Sequence, residues 1–200
     1  MDIKLKKFTN WSQTHQQISK IYQPNNLKDL TKFIQYINKK KIKIITKGSA
    51  QSYNDQIFVK DGIFLDFKNL NKILYKNYKK KEICVQGGCK IGNIIKKLNQ
   101  KNYTLGAIPG SEHVTIGGAI INNVHGKDTF KNGYFKNNVI AISILQRDGN
   151  IIRLSNTSNA ELFNNFFGSC GLLGIIISVE IKLKSVPSNY LKIETTIANN

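Results

Sequence analysis

Long apolar runs are missing from this 200-residue sequence: the longest candidate, residues 171–181, is strand-sized, well short of the roughly 18 residues that a bilayer-spanning helix needs. The opening residues, MDIKLKKF, lack the apolar core of a signal peptide. Cysteine is scarce. Cys84, Cys89 and Cys170 cannot build a disulfide framework, and no histidine stands at zinc-ligand spacing from Cys84 or Cys89. Reduced thiols, no metal site, no transmembrane segment and a cytoplasmic location are therefore expected. Arginine is nearly absent, 2 of the 30 basic residues. Because bidentate contacts to guanine and phosphate favour arginine, the formal net charge of +18 is read first as a solvated lysine surface. A basic nucleic-acid-binding module is kept as the rival of another class. Lysine, asparagine and isoleucine (28, 24 and 30 residues) dominate while alanine occurs only 6 times, a bias toward residues with A/T-rich codons.

What is there is a single alternating run of helices and strands with no internal repeat. Residues 27–40 carry Leu27, Leu30, Phe33, Ile34 and Ile37 at helical spacing, with Asn26 placed as N-cap and Asp29 in the first turn. Residues 91–98 put Ile91, Ile94, Ile95 and Leu98 on one helical face, predicting a second helix over 90–101, and residues 160–167 read as a short third. Strands are expected at 41–46, 62–67, 82–86, 139–146, 150–154 and 174–184, with a hairpin turning at Asp148-Gly149. The mixture predicts an α+β or α/β fold of two lobes, 1–102 and 103–187, with a further segment at 188–200.

Two glycine-bearing loops follow strands, 47–56 and 104–118. Glycine permits close backbone approach, and successive N–H groups in such turns can form an anion nest; a helix starting near Gly117-Gly118 would aim its first amides at the same place. Taken singly, either loop reads first as a tight turn. No GxGxxG motif is present, and the Walker-like glycine spacing of Gly87 to Gly92 has Asn93 where lysine is required. His125 is either a hydrogen-bonded structural residue or one placed at a cofactor.

In combination these stretches resemble the FAD-binding domain of the vanillyl-alcohol oxidase-type (PCMH-type) flavoenzymes. Lys47-Gly48-Ser49-Ala50-Gln51-Ser52-Tyr53-Asn54-Asp55 is similar to their pyrophosphate loop. Ile108-Pro109-Gly110, Val114-Thr115-Ile116-Gly117-Gly118-Ala119-Ile120 and Val124-His125-Gly126-Lys127 resemble their second FAD loop, and residues 168–177 the turn into the strand beside the cofactor. Within that superfamily the stretches are most similar to decaprenylphosphoryl-ribose 2'-oxidases. Aldonolactone oxidases and UDP-N-acetylenolpyruvylglucosamine reductases are the alternatives.

The resemblance implies a two-lobed α+β domain holding FAD between its lobes, in an oxidoreductase acting on a sugar-type alcohol carbon. The implied cofactor-binding residues are Thr46, Lys47, Gly48, Ser49, Ala50, Gln51, Ser52, Tyr53, Asn54, Asp55 and Gln56 in the first loop. In the second they are Gly110, Thr115, Ile116, Gly117, Gly118, Asn122, Asn123, Val124 and His125. Ile175 and Ile176 are added on the last strand, on either the adenine or the flavin side. Ala50 and Asn54 stand at two positions usually held by glycine. Gln51 occupies the place of the histidine that anchors FAD covalently in some relatives, so a non-covalent cofactor is implied. No catalytic residue is assigned. The small-molecule, sugar-type substrate is expected to bind a substrate domain, of which Tyr190 to Ile197 would be the first strand, or a second subunit.

Overall fold

The computed structural model describes residues 2–188, 190 and 192–197, and they form two sheets. In the first, β1 (Ile3–Thr9) and β2 (Gln16–Tyr22) pair antiparallel, while β3 (Ile44–Lys47) and β4 (Ile63–Asp66) run parallel to each other and to β2, in the order β1-β2-β4-β3. Helix α1 (Leu27–Lys39) forms the crossover from β2 to β3. Its Asn26 cap accepts a hydrogen bond from the Asp29 N–H at 2.9 Å, and Leu30, Phe33, Ile34 and Ile37 are buried against Ile63, Leu65 and Phe67. The apolar stripe read from the sequence is thus the face that packs on the sheet.

The second sheet contains β5 (Ile73–Asn77), β6 (Glu82–Gln86), β8 (Val139–Leu145), β9 (Ile151–Ser155) and β10 (Ile175–Ser185) in the order β5-β6-β10-β8-β9, all antiparallel, with β7 (Tyr103–Leu105) added at the end of β10. Helices α2 (Ile91–Asn99), α3 (Ile116–Ile121), α4 (Thr129–Asn132) and α5 (Ala160–Asn165) accompany it. The β8–β9 hairpin turns where Asp-Gly predicts, with Gly149 at φ +94°. β10 joins the two cores. Ile175 and Ile177 pack in the α1 cluster, whereas Ile176, Val179 and Ile181 pack in the cluster of the second sheet. A register shift between Ile176 and Ser178 lets one strand serve both.

Three expectations change. The first sheet ends at Asp66 and the second begins at Ile73, whereas the sequence places the lobe boundary near residue 102. β6 and α2 belong to the second core because β6 pairs with β10, nearly a hundred residues later, a partner that local pattern cannot show. Cys84 and Cys89, placed in the first lobe by pattern, accordingly lie in or beside the second core. Strands β1, β2, β5 and β7 are additional to those predicted. In β1, Lys4, Lys6 and Lys7 interrupt the apolar alternation and only Phe8 is buried. Residues 190 and 192–197 form no strand; residue 191 lies outside the described residues.

Candidate cofactor site

The loop leaving β3 is built on anchored carbonyls. Lys47 Nζ donates to Gly48 O at 3.2 Å and Gln51 Nε2 to Ser49 O at 3.3 Å. The backbone N–H of Trp11 donates to Ser52 O at 3.0 Å, and Asn10 Nδ2 to Tyr53 O at 2.6 Å. In a trans peptide the C=O of one residue and the N–H of the next point in opposite directions. Fixing these four oxygens therefore turns the amides of Ser49, Ala50, Tyr53 and Asn54 the other way. The N–H groups of residues 48–54 donate to no protein group among the described residues. Ala50 adopts the left-handed conformation (φ +54°), which explains why glycine serves there in the resembling motif. Asn54 is extended at φ −105° and has no need of glycine's freedom.

Beside this row of donors lies a buried ammonium. The Lys47 side chain is only 15% exposed, 3.7 Å from Asp66 Oδ2, and its Nζ stands 5.4 Å from the centre of the Phe8 ring. Burial lowers its pKa, with the Asp66 carboxylate opposing the shift. Asp66 is held in turn by the Gln23 amide at 2.9 Å and the Lys68 N–H at 3.0 Å.

The second loop is arranged differently from expectation. Thr115 caps α3 by accepting from the Gly118 N–H at 3.3 Å, while the Ile116 and Gly117 N–H groups donate to Cys89 O and Gly87 O, both at 2.8 Å. The first amides of α3 are thus occupied within the protein instead of being aimed at a ligand. What Gly117 and Gly118 provide is clearance. Neither has a positive φ, but a β-carbon at Gly117 would lie 3.2 Å from Gly87 O and one at Gly118 3.1 Å from Thr115 Oγ1.

Between the loops runs a slot of about 50 Å³ lined by Gly48, Gly87, Gly117, Gly118 and Gly174 together with Thr46, Thr115 and Ile176. Thr46 and Gly174 also line a cavity of about 680 Å³ whose walls are mainly apolar, including Ile34, Ile37, Ile44, Ile45, Phe58, Val59 and Ile175. Ile175 therefore faces the large cavity and Ile176 the slot.

Further along, Ser111 Oγ donates to Gln51 Oε1 at 3.0 Å and Gln56 Nε2 to Asn122 Oδ1 at 3.1 Å, so side chains tie the two loops together twice. Asn123 is left-handed (φ +42°), and Val124 is fixed through its N–H to Ala119 O at 3.0 Å. His125 is exposed, with Nδ1 3.3 Å from Gly126 O and its ring edge-on to Tyr134 at 5.7 Å. Gly110 has open space where a β-carbon would sit. The structure thus brings the first loop together with Ser111, Thr115 to Gly118, Asn122, Ile175 and Ile176, and leaves His125 on an exposed rim. Asn10, Trp11 and Asp66, which hold or flank the first loop, went unnoticed in the sequence. They belong to no motif, and Asn10 is one of 24 asparagines.

These features fit a dinucleotide. A row of free amides beside a buried cation suits a pyrophosphate, a glycine-lined slot admits a close-packed chain, and an apolar cavity suits a planar ring. The fold and site define a two-lobed nucleotide-cofactor domain. The family description "FAD binding domain" matches residues 18–155, and the chain belongs to that family, with FAD as its cofactor. It is 28% identical to the L-gulonolactone oxidase of Bos taurus over 191 residues, covering 95% of this chain and 42% of that protein. It is also 28% identical to the decaprenylphosphoryl-beta-D-ribose oxidase of Mycolicibacterium smegmatis over 148 residues, covering 74% of this chain and 32% of the relative. The chain therefore spans less than half the length of these relatives. Among solved structures, 6-hydroxy-D-nicotine oxidase from Arthrobacter nicotinovorans shares the fold with a TM-score of 0.74 and 21% identity, covering 83% of this chain and 36% of that one. Alkyldihydroxyacetonephosphate synthase shares it with a TM-score of 0.77 and 23% identity, over 88% of this chain and 33% of the other.

Proposed function

We propose that this chain is the cofactor-binding part of a flavin-dependent oxidoreductase that oxidises a sugar-type alcohol carbon, of the decaprenylphosphoryl-ribose oxidase or aldonolactone oxidase type. The observation that carries the cofactor assignment is the unpaired row of N–H groups at residues 48–54, of which those of Ser49, Ala50, Tyr53 and Asn54 face away from anchored carbonyls. The names of the relatives, an oxidase of a sugar lactone and an oxidase of a phosphoryl-ribose, support the substrate class.

In this reading the amides of Gly48, Ser49, Ala50, Gln51, Ser52, Tyr53 and Asn54 replace water around the pyrophosphate, and Lys47 supplies positive charge behind them. Thr46, Gly117, Gly118 and Ile176 bound the narrow passage. Thr46, Gln56 and Ile175 bound the apolar cavity, which takes the adenine. Gln51, Tyr53, Gly110, Ser111, Val124 and His125 lie at the flavin end, where the rings of Tyr53, Tyr134 and Trp11 are exposed. Bound FAD supplies two-electron redox chemistry, and the protein supplies binding, orientation and electrostatics. The substrate pocket belongs to a substrate domain on the same polypeptide or on a second subunit. Among the described residues no helix is long and apolar enough to cross a membrane.

Quenching of flavin fluorescence, measured with FAD and with FMN on the purified chain, tests this. FAD should bind well in preference to FMN, and ADP should compete with it, because the adenine and pyrophosphate contacts form most of the site. A folded chain that binds neither FAD nor ADP refutes the assignment.

A further inference from the structure

We infer that Asn10, on the connection between β1 and β2, is a positioning residue for the pyrophosphate loop; this rests on the cofactor assignment above. Asn10 is 3% exposed, and an asparagine so buried must have its amide satisfied. Its Oδ1 accepts from the His15 N–H at 3.0 Å, which closes the 10–15 turn on itself. Its Nδ2 then faces Tyr53 O at 2.6 Å, with Ser12 Oγ at 2.9 Å, Thr14 Oγ1 at 3.0 Å and Asn54 O at 3.5 Å around it. Two hydrogens on Nδ2 serve these acceptors, and the shortest bond goes to Tyr53 O.

The neighbours of Asn10 repeat the arrangement. The Trp11 N–H holds Ser52 O at 3.0 Å, Ser12 Oγ also donates to Tyr53 O, and the Trp11 ring stands edge-on to the Tyr53 ring at 4.9 Å. Every one of these contacts takes a carbonyl or side chain of the loop, and none takes one of its N–H groups. The planar peptide converts this into function: with Ser52 O and Tyr53 O drawn toward the turn, the N–H groups of Tyr53 and Asn54 must point away from it. Lys47 and Gln51 impose the same constraint at Ser49 and Ala50. A loop whose carbonyls were free could rotate a peptide and present oxygen to an anion. Asn10 prevents this at the distal half of the loop, 43 residues away in sequence from its partner.

The test is Asn10→Asp, which keeps the acceptor for the His15 N–H and replaces the donor with an oxygen facing Tyr53 O. Dissociation constants for FAD and ADP are measured on the purified chain at a temperature where circular dichroism shows parent and variant equally folded. Both constants should rise about ten-fold, as expected for a lost or reversed hydrogen bond. A purely structural asparagine would lower the midpoint of thermal unfolding and leave the ADP constant of the folded protein unchanged, and that result overturns the inference while the cofactor assignment stands. If Asn10→Asp does not fold, Ser12→Ala removes the exposed second donor to Tyr53 O. A smaller loss of ADP affinity supports the inference and an unchanged constant overturns it. A parent chain that binds neither FAD nor ADP removes the cofactor assignment and this inference together.

Discussion

Gly48 and Thr115 meet where the two glycine-bearing loops touch, so closely that a β-carbon on Gly48 would overlap the Thr115 hydroxyl. That hydroxyl also caps α3 through the Gly118 N–H, so one atom sets both the loop spacing and the start of the helix. Gly48→Ala should destabilise the protein by about 1–3 kcal/mol through overpacking, and Thr115→Ala by about 1 kcal/mol through the lost cap. Because the second change clears the space needed by the first, the double variant should be more stable than the two losses added together. Denaturant midpoints of the four proteins check this; strict additivity would mean that the loops do not touch.

Gly117→Val should reduce FAD affinity by at least about ten-fold while leaving the chain folded, since β-branched residues are tolerated in helices but the slot has no room for the added carbons. The reason is clearance beside Gly87 O, not a left-handed backbone. Fluorescence titration with FAD decides it, and parental affinity in a folded variant would remove the slot from the site.

One thiol should react in the native protein and three after denaturation. Cys170 is exposed and lines the apolar cavity. Cys84 and Cys89 are buried, and burial raises both thiols, Cys89 to about 11, so little thiolate forms. Iodoacetamide labelling followed by mass spectrometry measures this, and FAD should slow the labelling of Cys170 alone.

FAD should be released by acid precipitation, because Gln51 offers an amide with no nucleophilic character. Yellow colour retained in the pellet would overturn the non-covalent reading.

Arg153 and Glu180 predict a pH effect. The guanidinium donates two hydrogen bonds to the carboxylate, at 2.9 and 2.8 Å, and holds the Glu180 pKa below its ordinary 4.5. A carboxylate with a lowered folded pKa stabilises the fold fully above the ordinary value, and the contribution disappears as pH falls through the lowered one. With Arg153 half exposed, Glu180→Gln should lower stability at neutral pH by about 0.5–1 kcal/mol. The difference between parent and variant should shrink on acidification. Urea midpoints across that range read it directly, and a difference independent of pH would contradict the assignment.

Local signals made much of the fold legible. The stripe of α1, the strand at Glu82–Gln86, the Asp-Gly hairpin and both glycine loops are set by side-chain period and backbone freedom within a few residues. Strands β1 and β2 were not legible, because lysines interrupt the alternation of β1, β2 buries Ser19 while exposing Ile18, and both are fixed by pairing. The sheet boundary was hidden because β6 finds its partner in β10.

The sequence by itself determined that two glycine-bearing loops would follow strands and that the chain would resemble FAD-binding domains, since those properties reside in contiguous residues. Tertiary structure decided which polar groups in the loops are free. The amides of α3 are taken by Cys89 O and Gly87 O, whereas those of Ser49, Ala50, Tyr53 and Asn54 are turned free because Lys47, Gln51, Trp11 and Asn10 hold the neighbouring carbonyls. A hydrogen bond between Asn10 and Tyr53 depends on a chain path that no local pattern encodes, and through the planar peptide it sets the direction of a donor that a pyrophosphate can meet.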